Sequence, residues 1–354
     1  MVKYTTNTVN KLFYAGLFAV LFQMACKVDP QVIPVPPSDH IREIVPDGWP
    51  QPYYTYSTNP ISEAGFVLGR ALFYETMLSR DNSISCGSCH QQISAFSNAE
   101  HSLSHGINNQ LGTRNAPALF NLTWHTSFMH DGGINHIESQ PPAPITNTVE
   151  MDEQLDHVVS KLQATDKYRK MFRDAFGDET VNTQRMQKAI TQFQGLLYSY
   201  QSRYDAYKQG KAEFSASELK GYTLFLNHCN VCHKEPLFSD FKFRSNGLTV
   251  DPVLNDIGRA RIVNTPDNYY KFKTPSLRNI AKTYPYMHDG RFSTLDAVLD
   301  HYASNAKNST NLDPLLQQPL VFTPEERLDI IAFLNCLSDE KYLNDKRFMN
   351  PNKP

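Results

Sequence analysis

The sequence predicts a mainly α-helical protein built as two similar halves, and three observations carry that reading. Apolar residues recur at three- and four-residue spacing through the long segments, which is the pattern of one helix face. No segment shows the sustained alternation that a half-buried strand requires. The string Cys-x-x-Cys-His occurs once in each half, as Cys86-Gly-Ser-Cys89-His90 and as Cys229-Asn-Val-Cys232-His233.

Taken in order, the chain opens with Lys3 and Lys11 and an apolar run from Leu12 to Phe22. That run is too short to span a bilayer and has the form of an export signal, assigned to residues 1–26. Cys26 follows Ala25 where a lipoprotein signal would carry its lipid, although Gln23 stands where such signals usually place leucine. Membrane attachment is therefore expected only through a lipid on Cys26. Residues 27–54 hold four prolines between Asp29 and Asp39 and predict a stiff tether. Residues 55–207 and 212–340 form the two halves, divided at the polar, glycine-containing segment from Lys208 to Glu213, with 341–354 as a tail.

In the first half, Met186, Ile190, Phe193, Leu197 and Tyr200 predict an amphipathic helix from Thr183 to Tyr200. In the second, Leu219, Tyr222 and Leu226 place a helix just before the Cys229 string. Thr323-Pro324-Glu325-Glu326 is a capping box with proline in the first turn, opening a helix through Leu337. The stretches 91–121 and 238–274 read as loops. An internal echo, Arg114-Asn115 leading to Met129-His-Asp-Gly132 and Arg278-Asn279 leading to Met287-His-Asp-Gly290, indicates duplication.

Two thiols at Cys-x-x-Cys spacing can add to the two vinyl groups of one haem, and the next histidine then falls under the iron. A zinc site would need four ligands close in space, and a redox dithiol needs no following histidine. The repeated string predicts two covalently bound c-type haems, on Cys86, Cys89 and His90 and on Cys229, Cys232 and His233. Such attachment belongs to the exported compartment of bacteria, so a periplasmic location is expected. Eighteen tyrosines and 21 phenylalanines suit packing around flat apolar macrocycles. Of the six cysteines, four serve haem and Cys26 serves export. That leaves Cys336 as a small buried apolar residue and no disulfide. The net charge of -2, with no basic run, excludes nucleic acid as a partner.

From Leu68 to Leu337 the chain resembles the bacterial di-haem cytochrome c peroxidase family, including its MauG-type branch. The matching strings are Cys86–His90, Thr113-Arg-Asn-Ala-Pro117, Asp131-Gly132, Gln140 with Val149-Glu150-Met151, Gly258-Arg259, Thr274-Pro-Ser-Leu-Arg-Asn279 and Tyr286-Met-His-Asp-Gly-Arg291. The resemblance implies two cytochrome c-like haem domains packed with the haems near the domain interface. It implies reduction of hydrogen peroxide to water with electrons from a small c-type cytochrome or cupredoxin, and it allows a homodimer.

By the same resemblance the first haem is the peroxide site, with His90 proximal, Glu150 catalytic and Gln140 beside it. A carboxylate above the iron can move the proton that O–O cleavage requires, and an amide can hold the leaving oxygen. The plainer reading of Glu150 is a cap on a helix starting near Asp152. At the second haem the peroxidase branch has methionine where this chain has Tyr302, and the MauG-type branch has tyrosine. Leu295, Val298, Leu299 and Tyr302 share a helical face, so Tyr302 is either a sixth ligand or a buried tyrosine, and Met287 is the other candidate ligand. His105 lies in the loop where many of these peroxidases carry a switchable distal ligand, and it is otherwise a solvated loop residue. The family's inter-haem tryptophan is replaced by His130, with Trp124 six residues away. The family's calcium ion corresponds to Asn115 and the carbonyls of Thr283 and Pro285. The alternatives to a peroxidase are a MauG-like enzyme oxidising residues of a partner protein and a non-enzymatic electron-transfer cytochrome.

Overall fold

A computed structural model describes Met1 and residues 41–99, 101–304 and 310–352. The export signal, Cys26 and residues 27–40 of the 27–54 segment lie outside the described residues.

Helices follow the apolar periodicity. They are α1 (Glu63–Phe73), α2 (Cys86–Cys89), α3 (Pro142–Thr146), α4 (Leu155–Gln163), α5 (Asp166–Phe176), α6 (Thr183–Gln194), α7 (Arg203–Lys208) and α8 (Ala216–His228), then α9 (Ala260–Val263), α10 (Leu295–Ala303), α11 (Pro324–Asn335) and α12 (Glu340–Leu343). The described sheet is one antiparallel pair, β1 (Phe243–Arg244) and β2 (Phe272–Lys273). Ser62 caps α1 by accepting from Gly65 N, and Thr323 with Glu326 forms the expected capping box on α11.

Each half is organised by one close helix pair. In the first, Gly69 of α1 lies on the backbone of α6, where an added Cβ would sit 1.9 Å from Ala189 O. In the second, Gly221 of α8 lies on α11, where a Cβ would sit 1.8 Å from Asp329 O. Only glycine permits either approach. The predicted stripe on α8 is corrected by this contact. Gly221, Tyr222 and Phe225 form its buried face, while Leu219 and Leu226 stay exposed. Helix α6 ends at Gln194 rather than Tyr200, because the next segment bonds to Asn121 instead of itself. Asn121 N donates to Leu197 O, Asn121 Nδ2 to Ser199 O, and Ser199 N to Asn121 Oδ1.

The duplication is present in a corrected register. Asn121 and Asn279 both take the left-handed conformation and open short 3₁₀ turns, and eight residues later Met129 and Met287 are again left-handed. Ala116-Pro-Ala-Leu-Phe-Asn121 is therefore the counterpart of Thr274-Pro-Ser-Leu-Arg-Asn279, and Arg114-Asn115 is not. The bridges Phe128–Ile134 and Tyr286–Phe292 close the two equivalent turns.

Residues beyond 340 return to the first half. Tyr342 packs against Phe96 and Phe120, and its hydroxyl donates to Leu119 O at 2.6 Å. At the other end Ile41, Ile44 and Trp49 pack on the same cluster. Cys336 is buried as expected, with its thiol directed at Glu218 Oε1, 3.2 Å away.

The most demanding buried group is Arg278, fully enclosed, which donates twice to Asp205 at 2.8 Å and lies under the Trp49 ring. Burial pushes the Asp205 carboxyl up, but the Arg278 bonds and charge outweigh it, and its pKa ends lower than usual. Its contribution to stability is thus present above the ordinary carboxylate range and is lost as pH falls through the lowered value. Arg278→Met leaves Asp205 charged and buried, and should cost about 3–5 kcal/mol in denaturant unfolding followed by circular dichroism. Adding Asp205→Leu should recover much of that loss; no recovery would show that the pair is not the cause.

Candidate haem sites

The two Cys-x-x-Cys-His strings adopt one local structure. His90 N donates to Cys86 O and His233 N to Cys229 O, both at 2.9 Å, so each turn presents its cysteines and histidine together. None of the four cysteines is in a disulfide. The histidine rings are held from behind by backbone carbonyls. His90 Nδ1 is 2.7 Å from Phe96 O, and His233 Nδ1 is 3.1 Å from Pro275 O and 3.3 Å from Phe238 O. A carbonyl at Nδ1 fixes the tautomer and directs Nε2 outward as the ligand atom. The residues fit covalent haem at both places. Pro117, the counterpart of Pro275, also lends its backbone carbonyl to His90.

At the first site the structure brings Cys89, His105 and Glu150 together. Cys89 Sγ points to His105 O at 3.6 Å, and Ile107 N donates to Glu150 O at 2.7 Å. Gly106 lies flat on this turn, where a Cβ would fall 2.1 Å from Val149 O. Glu150 does not cap a helix, since α4 begins at Leu155 with Gln154 as its cap. Its Oε1 instead accepts from Asn147 Nδ2 at 2.9 Å. Burial raises the Glu150 pKa, and the Asn147 bond opposes that rise. Gln140 is half-buried at the turn before α3, and α3 is tied to the Glu150 turn by Met151 N to Pro144 O and Glu153 N to Ile145 O. The His105 ring meets Asn109 Oδ1 at 2.8 Å and lies edge-on to His101.

At the second site Tyr302 of α10 lies near Cys229 and Cys232. Burial pushes its hydroxyl up to about 12, against a bond from the Asn246 side chain. The same Asn246 donates through Nδ2 to Met287 Sδ at 3.4 Å. Both candidate sixth ligands thus converge on one asparagine that sequence reasoning missed, 41 and 56 residues from its partners in the chain. Asn147 was missed as well; its three-residue spacing from Glu150 was the available signal.

Between the sites, Arg114 donates to Asp131 Oδ2 at 2.6 Å and to both oxygens of Asp256, and so ties the halves together. His130 Nε2 is 2.9 Å from Asn115 O, and burial lowers its pKa to about 4, so the imidazole is neutral. Asn115 uses its amide nitrogen on His101 O and Ser102 O, which leaves Oδ1 as the atom suited to a hard cation. Its backbone N bonds His288 O, three residues beyond Pro285. Among the described residues no cluster of three or more His, Cys, Asp or Glu is arranged to hold a metal ion.

Two histidine-backed thiol turns on a helical scaffold define a di-haem c-type cytochrome, and comparison with known proteins specifies which kind. The sequence profile described as di-haem cytochrome c peroxidase matches residues 63–213. The methylamine utilization protein MauG of Methylorubrum extorquens is 34% identical over 307 residues, covering 83% of each chain. The cytochrome c551 peroxidase of Pseudomonas aeruginosa is 31% identical over 293 residues, covering 80% of this chain and 81% of the relative. A crystal structure of a MauG-like protein associated with microbial copper homeostasis superimposes with a TM-score of 0.80 at 32% identity, covering 87% of this chain and 99% of that one. The diheme peroxidase BthA of Burkholderia thailandensis shares the fold, with a TM-score of 0.71 at 21% identity, covering 84% of this chain and 92% of that one. The chain belongs to the di-haem cytochrome c peroxidase family.

Replacing Cys86 and Cys89 together by alanine should lower the haem content of matured protein from two per chain to one, read by pyridine haemochrome absorbance against protein mass. Replacing Cys229 and Cys232 should do the same. Retention of two covalent haems in either double variant would contradict the assignment.

Proposed function

We propose that this chain is an exported enzyme that reduces hydrogen peroxide to water, taking single electrons from a small c-type cytochrome or cupredoxin through the second haem. The observation that carries this reading is Glu150, half-buried beside the first haem-attachment turn and held by Asn147. The division into halves at 55–207 and 212–340 matches one haem motif and one close helix pair to each role. A periplasmic location follows from covalent haem attachment. No helix among the described residues is long and apolar enough to cross a membrane.

When bound, the two haems supply the redox chemistry, reducing peroxide at one iron and collecting electrons at the other. Glu150 takes the proton from the near peroxide oxygen and returns it to the leaving one. Burial raises its proton affinity above that of an ordinary glutamate, which favours its returning the proton as an acid after taking it as a base. Asn147 holds one carboxylate oxygen and leaves the other to work. Gln140 would support the leaving oxygen through its amide. The carbonyls of Phe96 and Pro275 keep the proximal rings in place and raise their basicity. The Asn115 side-chain oxygen, with the carbonyls of Thr283 and Pro285, would form an oxygen-rich seat for calcium between the sites.

A second reading, oxidation of residues on a partner protein, is favoured by Tyr302 and the 34% identity to MauG. The ligand at the second iron separates the two. If Tyr302 ligates, Tyr302→Phe should change the second haem's electron paramagnetic resonance and absorption spectra. An unchanged second haem would favour Met287 and remove the basis for the second reading.

Glu150→Gln should keep both haem spectra and lose about 10²–10⁴-fold in peroxide turnover with a reduced c-type donor. Rates equal to wild type would refute the role. As a base, Glu150 works only when ionised, so the acid limb of kcat/KM should lie above the ordinary glutamate value. Asn147→Ala removes an interaction that lowers the Glu150 pKa, and the acid limb should move to still higher pH.

A further inference from the structure

The tryptophans of the chain are neither at the family's inter-haem position nor isolated. Trp49 and Trp124, the two in the sequence, stand edge to face with ring centroids 5.1 Å apart. Trp124 meets Tyr198 in the same way at 5.7 Å. Tyr198 and Tyr56 bring their hydroxyls together beside Thr123, and Tyr56 meets Tyr54 at 5.0 Å. These rings form an unbroken series of oxidisable side chains within the core.

The series has two distinct ends. At one, the Arg278 guanidinium covers Trp49 at 4.6 Å and Phe238 at 5.5 Å, and the Phe238 carbonyl faces the Nδ1 of the proximal His233. At the other, Tyr54 donates to Glu138 Oε1 at 2.7 Å and accepts from Asn59 Nδ2 at 3.4 Å. Its neighbour Tyr53 is 66% exposed, so this end lies just below the surface.

A phenol that loses an electron becomes acidic and is stabilised only if its proton can leave. The polar groups in reach of the buried Tyr56 and Tyr198 hydroxyls are each other, the Thr123 hydroxyl and the Ile44 backbone, none of them a carboxylate that could take the proton of an oxidised ring. Tyr54 has a carboxylate in bonding distance. Tyr56 and Tyr198 are thus suited to pass an oxidising equivalent, and Tyr54 is suited to keep it. Glu43 also faces all three phenols, and its negative charge favours positive charge arriving among them. His130, the residue between the sites, is a neutral imidazole and harder to oxidise than an indole.

We propose that Trp49, Trp124, Tyr198, Tyr56 and Tyr54 form a one-electron path that drains oxidising equivalents from the second haem site to Tyr54 when no reduced donor is at hand. The proposal rests on the peroxidase reading, which supplies the oxidant. One electron leaves Tyr54 and travels along the rings to the oxidised haem site. The Tyr54 O–H bond breaks and its proton passes to Glu138. The tyrosyl radical is restored by one electron from an external reductant of the phenol or ascorbate class, and the proton returns from Glu138. The path protects the haems and the substrate site from oxidative damage.

The test uses the protein with both haems attached. Peroxide is added without donor, the sample is frozen for electron paramagnetic resonance, and a second portion is mapped by mass spectrometry for oxygen addition and tyrosine cross-links. Wild type should give a tyrosyl signal, with marks concentrated on the five residues. Tyr54→Phe, which keeps the ring packing, should lose the tyrosyl signal and bleach its haems faster, while donor-supported turnover stays at the wild-type rate. Trp124→Phe should likewise shift the marks to the Trp49 side. A parallel portion is oxidised by flashing a ruthenium tris-bipyridine sensitiser with persulfate, which bypasses peroxide chemistry. If wild type fails to turn over peroxide, the peroxidase reading falls and the flash experiment alone judges the path. A tyrosyl signal unchanged in Tyr54→Phe, or marks elsewhere in both experiments, overturns the proposal.

Discussion

Each haem site depends on backbone carbonyls that hold the proximal imidazole by its Nδ1. His90 meets Phe96 O, and His233 meets Pro275 O and Phe238 O. Phe96 and Phe238 both take left-handed backbone conformations, which costs energy for residues with bulky side chains. Packing around each site holds them there. Phe96 is enclosed by Phe73, Phe193 and Tyr342, and Phe238 by Tyr204, Phe225 and Phe333. The aromatic richness of the chain thus serves to aim two imidazoles.

From that constraint the two halves diverge in what they place beyond the histidine. The first half adds the Gly106 loop and the Asn147–Glu150 turn, clamped face to face, so a carboxyl sits beside the first attachment turn. The second adds α10 and Asn246, which offer a phenol and a thioether within the reach of one amide. One duplicated scaffold therefore carries two differently furnished attachment turns, and the difference lies in a few polar residues. Arg114, bound to Asp131 of its own half and Asp256 of the other, holds the two in a common frame.

Much of this was legible in the chain. The cysteine spacing, the following histidine, the α11 capping box and the helix before Cys229 are local signals that depend on neighbours within a few residues. The echo between the halves was visible, but its register was misplaced, because Arg114-Asn115 looks like Arg278-Asn279 while the backbone equates Asn121 with Asn279. Likewise Leu219 and Leu226 look like core on a helical wheel. Which face of α8 turns inward was decided by Gly221, the one place where α11 could approach.

What the sequence determined by itself is the covalent chemistry and the fold class, since both follow from residue types at short fixed spacings. Tertiary structure alone decided which distant groups meet. Asn246 joins Met287 to Tyr302, Trp49 reaches Trp124 and Arg278, and Tyr342 crosses back to Phe96. Contacts of that kind leave no periodic trace, because they are set by the burial of surfaces from separate segments rather than by the local preferences of either one.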